Sequence, residues 1–308
     1  MKIAVFGTGG VGGFFGARLA RSGEDVHFIA RGEHLKAIQE SGLKIKSTLG
    51  NFVIKDVQVT DDAKSIGSVD LVVVSTKTMQ IDEVAPLMKP LIGNDTAILP
   101  LQNGVETPEQ LAQVLGRGHV LGGVCRIIAK IAAPGVIEHA GVEPHVIIGE
   151  LDNARTARVA AIESVWKKAG MKIDIAEDIS LAIWEKFIFM ATWSGIGSVA
   201  RAPIGVLRET PETRKLIIDS LTEVRRVGVA LNVNIPEATE EKILNFIDKL
   251  PPKGTASMQR DVMAGRPSEY EAQSGAVVRL GQKVNVPTPI HEVIYTCLKT
   301  QEAALNDI

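Results

Sequence analysis

The chain has 308 residues, 45% of them apolar, and a formal net charge of −2. That length fits about two domains with a sizeable core, and the near balance of charge gives no electrostatic reason to bind nucleic acid or an anionic membrane. No apolar run approaches the ~18 residues of a membrane span. The N-terminus already reads as a first strand, leaving no place for a signal peptide, and the widely spaced Cys125 and Cys297 form no Cys-x-x-Cys, so reduced thiols in a cytoplasmic protein are expected.

Taken in order, Lys2–Phe6 is a short apolar run that delivers the chain into Gly7-Thr-Gly9-Gly-Val-Gly12. A helical segment with Phe15, Leu19 and Ala20 at helical spacing follows, closed by Gly23, and a second apolar run, Val26–Ala30, ends at Arg31. Glycine clusters also make ordinary turns, but a Gly-x-Gly-x-x-Gly between strand and helix is the dinucleotide-binding βαβ unit. Gly7 permits the tight turn, Gly9 lets backbone approach a pyrophosphate, and Gly12 lets helix and strand pack closely. The helix's free N–H groups and dipole hold the anion, so Gly7, Thr8, Gly9, Gly10, Val11 and Gly12 are the expected cofactor-binding stretch. NAD sites place an acid after the second strand; Ala30-Arg31-Gly32 has none. A guanidinium suits the 2′-phosphate of NADP, whereas alone it would be a surface arginine at a strand end.

Beyond Arg31 a short helix through about Ser41 is predicted, then a hairpin from Leu43–Lys46 and Asn51–Lys55 around Leu49-Gly50. Asp70–Ser75 and Thr96–Leu101 are continuous apolar runs typical of buried parallel strands, the second ending in Gln102-Asn103-Gly104. Between His119 and Glu150 several short β-like runs, broken by Pro134-Gly135 and Gly141, predict a small antiparallel addition. Ala154–Ala169 reads as an amphipathic helix and Met171–Ile175 as a last strand, so strands and helices alternate as in a doubly wound sheet. From about Ala176 onward the pattern is helical, punctuated by Pro203, Pro211, Pro236, Pro251-Pro252, Pro267 and Pro287. The expected architecture is α/β: a Rossmann-type domain over 1–176 and an all-helical substrate and dimerisation domain over 177–308.

The six histidines are scattered without metal-ligand spacing, and no Gly-x-Ser-x-Gly elbow is present. Nicotinamide chemistry needs a proton donor for the forming alkoxide, which draws attention to Lys186 in the apolar segment Leu181–Gly195. Lys186, Met190 and Ser194 fall at four-residue steps on one helix face. A lysine buried there would have a depressed pKa suited to proton donation; one at the helix edge would snorkel to water. The pattern alone leaves both readings open.

The chain resembles the ketopantoate reductase (2-dehydropantoate 2-reductase) family over essentially its whole length. The residues carrying the resemblance are Gly7–Gly12, Ser75-Thr-Lys77, Gln102-Asn103-Gly104, Pro134–Gly141, Trp184-Glu-Lys186, Thr255-Ala-Ser257-Met, Gly265–Glu269, Gly275–Gly281 and Val286–Pro289. It implies NADPH-dependent reduction of ketopantoate to (R)-pantoate, in pantothenate biosynthesis, with a small 2-oxo acid as partner. It also implies Lys186 as proton donor that polarises the carbonyl, and Glu269 as the carboxylate orienting substrate and lysine at the cofactor. Asn103 would touch substrate and nicotinamide ribose, Lys77 the cofactor, and Ser257 the substrate carboxylate. Each has a plainer reading: Asn103-Gly104 as a turn, Ser257 as a helix cap, Glu269 and Lys77 as solvated charges. This chain departs from the family where Met190 and Ser194 replace asparagines four and eight residues after the lysine, and where Ser274 replaces one before Gly275. A thioether cannot hydrogen-bond a substrate hydroxyl as an amide does, which admits a less hydroxylated 2-oxo acid. A non-catalytic NADP-binding redox sensor would need neither Lys186 nor Glu269. The long helices of the second half are compatible with a homodimer.

Overall fold

A computed structural model describes residues 1–306. Two compact units emerge: Met1–Gln102 with Thr107–Ile179, and Asn103–Glu106 with the chain from Ser180 on. In the first, the elements run β1 (Lys2–Phe6), α1 (Gly10–Arg21), β2 (Asp25–Ile29), α2 (Gly32–Ser41), β3 (Leu43–Ser47), β4 (Phe52–Ile54), β5 (Gln58–Thr60) and β6 (Val69–Val74). They continue with α3 (Ile81–Val84), β7 (Ile92–Pro100), α4 (Thr107–Leu115), β8 (Leu121–Arg126), β9 (Ala129–Ala133), β10 (Val136–His139), β11 (His145–Glu150), α5 (Ala157–Lys168) and β12 (Lys172–Ile175).

The continuous apolar runs form the central sheet, ordered β5-β2-β1-β6-β7 with every pair parallel. A parallel strand covered on both faces has no polar side to alternate, and Ile3, Ala4, Val5, Leu71, Val72 and Val73 are all fully buried. The strand order reverses between β1 and β6, so the crevice for a ligand lies beyond their carboxyl ends. There the Ser75 amide donates to Phe6 O (2.9 Å) and the Ser75 hydroxyl to Gly7 O (2.8 Å), tying the two turns together.

The glycines of α1 let it pack tightly on both sides. A Cβ at Gly16 would lie 2.5 Å from Phe28 and 2.8 Å from Val5, while one at Gly10 would lie 2.4 Å from Ala129 O and one at Gly13 2.8 Å from Ile137. So β1 and β2 press on one flank of α1, and β9 and β10 on the other. Within His119–Glu150 the strands pair antiparallel as expected, β8 with β11 and β9 with β10, but they do not form one addition. They divide between two sheets, each containing one parallel pairing: β4-β3-β10-β9, with β10 parallel to β3, and β12-β11-β8, with β11 parallel to β12. Met171–Ile175 likewise supplies β12 to the smaller sheet rather than a last strand of the doubly wound one. The partner of the hairpin could not be read locally, because β10 meets β3 across a long sequence separation.

The second unit contains α6 (Ile179–Ala200), α7 (Ile204–Glu209), α8 (Pro211–Ala230), α9 (Thr239–Lys249), α10 (Ser257–Met263), a π-helical turn (Glu271–Gly275), α11 (Ala276–Lys283) and α12 (Pro289–Asn306). Pro211 and Pro289 occupy first helical positions, where the missing N–H costs nothing. Trp184, Phe187, Ile188 and Ala191 on α6 centre the core. A Cβ at Gly228 of α8 would stand 2.7 Å from Trp184, so glycine sets how closely α8 approaches α6. No helix among the described residues is long and apolar enough to cross a membrane.

Buried in this core is His291, with no exposed surface; its Nε2 lies 3.0 Å from the Ser220 hydroxyl, itself 2.9 Å from the Thr192 hydroxyl. Burial pushes its pKa down to about 3. Glu223 accepts the amides of Ile290 (3.0 Å) and His291 (2.9 Å), and burial pushes its carboxyl above the usual range. Between roughly pH 6.5 and 3 the unfolded chain binds a proton on His291 that the native state refuses, so stability falls as pH falls, by up to about 1.4 kcal/mol per unit. Glu223 acts in the opposite sense. Against His291→Gln, in which Glu223 is unchanged, the wild type should lose about 1.6 kcal/mol between pH 6.5 and pH 5 in urea denaturation; parallel losses in both proteins would contradict this.

Candidate active site

The glycine turn after β1 has the geometry of a phosphate cradle. Gly7 has φ +101°, and a Cβ there would lie 2.7 Å from Thr76 N, so no other residue fits. At Gly12 a Cβ would meet Ser75 Oγ at 2.1 Å and Gly7 O at 2.3 Å. Gly9, in contrast, has nothing within 4 Å of its Cβ position. Tight contact at the first and third glycines and open space at the second are what pyrophosphate approach requires. Gly9 caps α1 without a side-chain hydrogen bond and the first turn carries no acid, so the leading N–H groups are available to an anion. The residues therefore fit a dinucleotide.

Other residues of the expected cofactor stretch behave differently. Thr8 is 3% exposed and spends its hydroxyl on Ile29 O (2.9 Å), as its amide does (3.1 Å), so it fastens the turn to β2. Val11 is half-buried on α1. Lys77 is exposed just past β6, beside the strand-order reversal. At the end of β2, Arg31 is exposed at the N-terminus of α2, with Nη1 3.3 Å from Glu83 Oε1. Ser75 and Glu83 were not singled out by sequence. Ser75 stood inside the Ser-Thr-Lys run, but only the fold shows what its hydroxyl holds; Glu83 lies far along the chain from Arg31.

The helical unit gathers a second group. Asn103 Nδ2 donates to Glu269 Oε2 at 3.1 Å, and Glu269 is only 5% exposed. This pairing depends on the π-helical turn after Glu269, which receives the Asn103 segment. Gly104 has φ +93°, and a Cβ there would sit 2.9 Å from Ala272 O. Arg279 Nη2 donates to Glu106 Oε2 (2.8 Å) and to Glu271 O (2.8 Å), while its Nη1 reaches Glu271 Oε2 (2.9 Å) and Tyr295 donates to Glu271 Oε1 (2.8 Å). These bonds explain why Asn103–Glu106 belongs to the helical unit although flanked by the other.

On α6, Lys186 and Met190 are half-buried. Ser194 keeps its four-residue step from Met190 on α6 but has no exposed surface; its hydroxyl lies 2.6 Å from Met190 O and in hydrogen-bond contact with the Gln273 carboxamide. One hydroxyl proton cannot serve two acceptors, so the arrangement that satisfies both has Gln273 donating to Ser194 and Ser194 donating to Met190 O. The shorter serine is thus drawn into the core to hold Gln273, which lies one helical turn beyond Glu269 (Gln273 N to Glu269 O, 3.1 Å). Gln273 was missed by sequence; its four-residue step from Glu269 was the available signal. Ser257 is half-buried as the first residue of α10, with Ala256 as the cap. Among the described residues no cluster of His, Cys, Asp or Glu could hold a metal ion.

The family model described as ketopantoate reductase PanE/ApbA matches residues 3–153, and the model of its C-terminal part matches 178–302. The 2-dehydropantoate 2-reductase of Nostoc sp. is 31% identical over 303 residues, covering 97% of this chain and 94% of its own. A crystal structure of 2-dehydropantoate 2-reductase from Geobacter metallireducens GS-15 superposes with a TM-score of 0.91 at 30% identity, covering 97% of this chain and 99% of that one. The structure of D-mandelate dehydrogenase with NADH and anilino(oxo)acetate has the same fold, with a TM-score of 0.91 at 23% identity over 99% of this chain and 100% of that one. A glycine turn fit for a dinucleotide, a helical unit of the same type and matches over both halves lead to one conclusion: the chain belongs to the ketopantoate reductase family, nicotinamide-dependent oxidoreductases acting on CH–OH groups.

Proposed function

We propose that this protein reduces 2-dehydropantoate to (R)-pantoate with NADPH, serving pantothenate biosynthesis in the cytoplasm, with the helical unit available for a homodimer. The observation that carries this reading is the buried Glu269 paired with Asn103 (3.1 Å) in the same unit as Lys186. A reductase of this type needs an acid, a group to orient it and a polar hold on the substrate, and these residue types suit those tasks. The bound dinucleotide would supply a hydride to the carbonyl carbon. Lys186 polarises the carbonyl and gives its proton to the alkoxide oxygen as charge develops there. Glu269 holds the ammonium and a substrate hydroxyl in line, Asn103 keeps Glu269 in place and reaches the substrate, and Ser257 binds the carboxylate. Arg31 and Lys77 serve the cofactor from the first unit.

A second reading, reduction of a less hydroxylated 2-oxo acid, is favoured by α6. Met190 presents a thioether where the family has an amide, and Ser194 has no exposed surface from which to replace it. A site that hydrogen-bonds a substrate hydroxyl rejects analogues lacking it, whereas a thioether imposes no such penalty. Following NADPH consumption with a panel of 2-oxo acids separates the two readings, and no turnover with any of them would refute both.

Lys186→Ala should lower kcat by ~10²–10⁴, the usual share of general acid catalysis, with NADPH affinity nearly unchanged because the glycine turn belongs to the other unit. Near wild-type turnover would remove Lys186 from its role. For Met190→Asn, the ratio of kcat/KM for 2-dehydropantoate to that for 2-oxo-3-methylbutanoate, which lacks the hydroxyl, should shift toward 2-dehydropantoate. An unchanged ratio would mean that Met190 does not face substrate.

A further inference from the structure

The sequence lacks an acid at Ala30-Arg31-Gly32, where NAD sites keep one for the ribose 2′-hydroxyl. The fold returns one from elsewhere. Glu83 of α3 brings Oε1 to 3.3 Å from Arg31 Nη1, both side chains being largely exposed, at 66% and 54%. Glu33, much closer in sequence, is engaged instead by Lys36 Nζ at 3.0 Å. A guanidinium and a carboxylate therefore stand side by side at the carboxyl end of β2, the place from which this kind of fold reads the adenosine ribose.

We propose that Arg31 and Glu83 form a cofactor-selecting pair and that the protein accepts NADH as well as NADPH. This rests on the nucleotide reading of the glycine turn. With NADPH, Arg31 meets the 2′-phosphate; with NADH, Glu83 accepts a hydrogen bond from the ribose hydroxyl. The two partners oppose each other in selectivity. A 2′-phosphate carries close to two negative charges, and placing it on Arg31 sets it a few ångströms from the Glu83 carboxylate. Like charges at such distances near the surface cost on the order of a decade in affinity, a penalty that a neutral hydroxyl does not meet. An exposed ion pair holds the fold together only weakly, so it parts readily when either cofactor arrives.

The test is titration of NADPH and of NADH, without substrate, into the full-length wild type and variants, followed by nicotinamide fluorescence. Wild type should bind both. Glu83→Gln should shift the affinity ratio toward NADPH by roughly three- to tenfold at low salt, less as salt screens the charges, and Glu83→Lys should shift it further. Arg31→Ala should weaken NADPH at least about tenfold and barely change NADH. A ratio unmoved by both Glu83 substitutions, or equal losses of both cofactors in Arg31→Ala, would overturn the pair. Failure of the wild type to bind either cofactor would instead overturn the nucleotide reading beneath it.

Discussion

The first unit depends on how little room separates α1 from the turns after β1 and β6. A single methyl at Gly12 would fall 2.1 Å from Ser75 Oγ and 2.3 Å from Gly7 O, so α1 can start where it does only because no side chain is there. That approach aims the helix's first N–H groups into the crevice where the strand order reverses. It also lets the same helix face β9 and β10 through Gly10 and Gly13. The open space at Gly9 is the complement of this crowding, and it leaves room for a phosphate to come close to backbone.

The helical unit meets a different requirement, which is to keep a buried carboxylate aimed. Glu269 precedes a π-helical turn, and that turn receives the Asn103–Glu106 segment through Gly104 and the Arg279 fork on Glu106 and Glu271. Each contact is modest alone, since exposed ion pairs contribute little. Together they hold Asn103 against Glu269 with its amide pointing the right way. Gln273, bonded to Ser194, braces the turn from its buried side. The departures from the family pattern at 194 and 274 are thus polar groups turned into the core, while Met190, a thioether with little hydrogen-bonding capacity, keeps some exposed surface.

Local physics made much of this legible. Continuous apolar runs announced β1, β6 and β7, glycine spacing announced the turn, and the prolines after Ala176 announced separate helical segments. What escaped depended on chain segments far apart in sequence. The partner of β10 is β3, the neighbour of Arg31 is Glu83, and the mate of Ser194 is Gln273; none of these pairs shares a local pattern. Ser194 shows the difference sharply: helical spacing gives its step from Lys186 and Met190, but not that its hydroxyl, bonded to a carbonyl one turn back, is fully covered.

The most direct test of the chemistry is the fate of the hydride. With NADPH carrying deuterium at both C4 positions and 2-dehydropantoate as substrate, the hydroxy acid product should carry deuterium at C2, read by proton NMR as loss of the C2–H signal. Reduced product with protium at C2, or no reduced product at all, would contradict direct hydride transfer from the nicotinamide cofactor to this substrate.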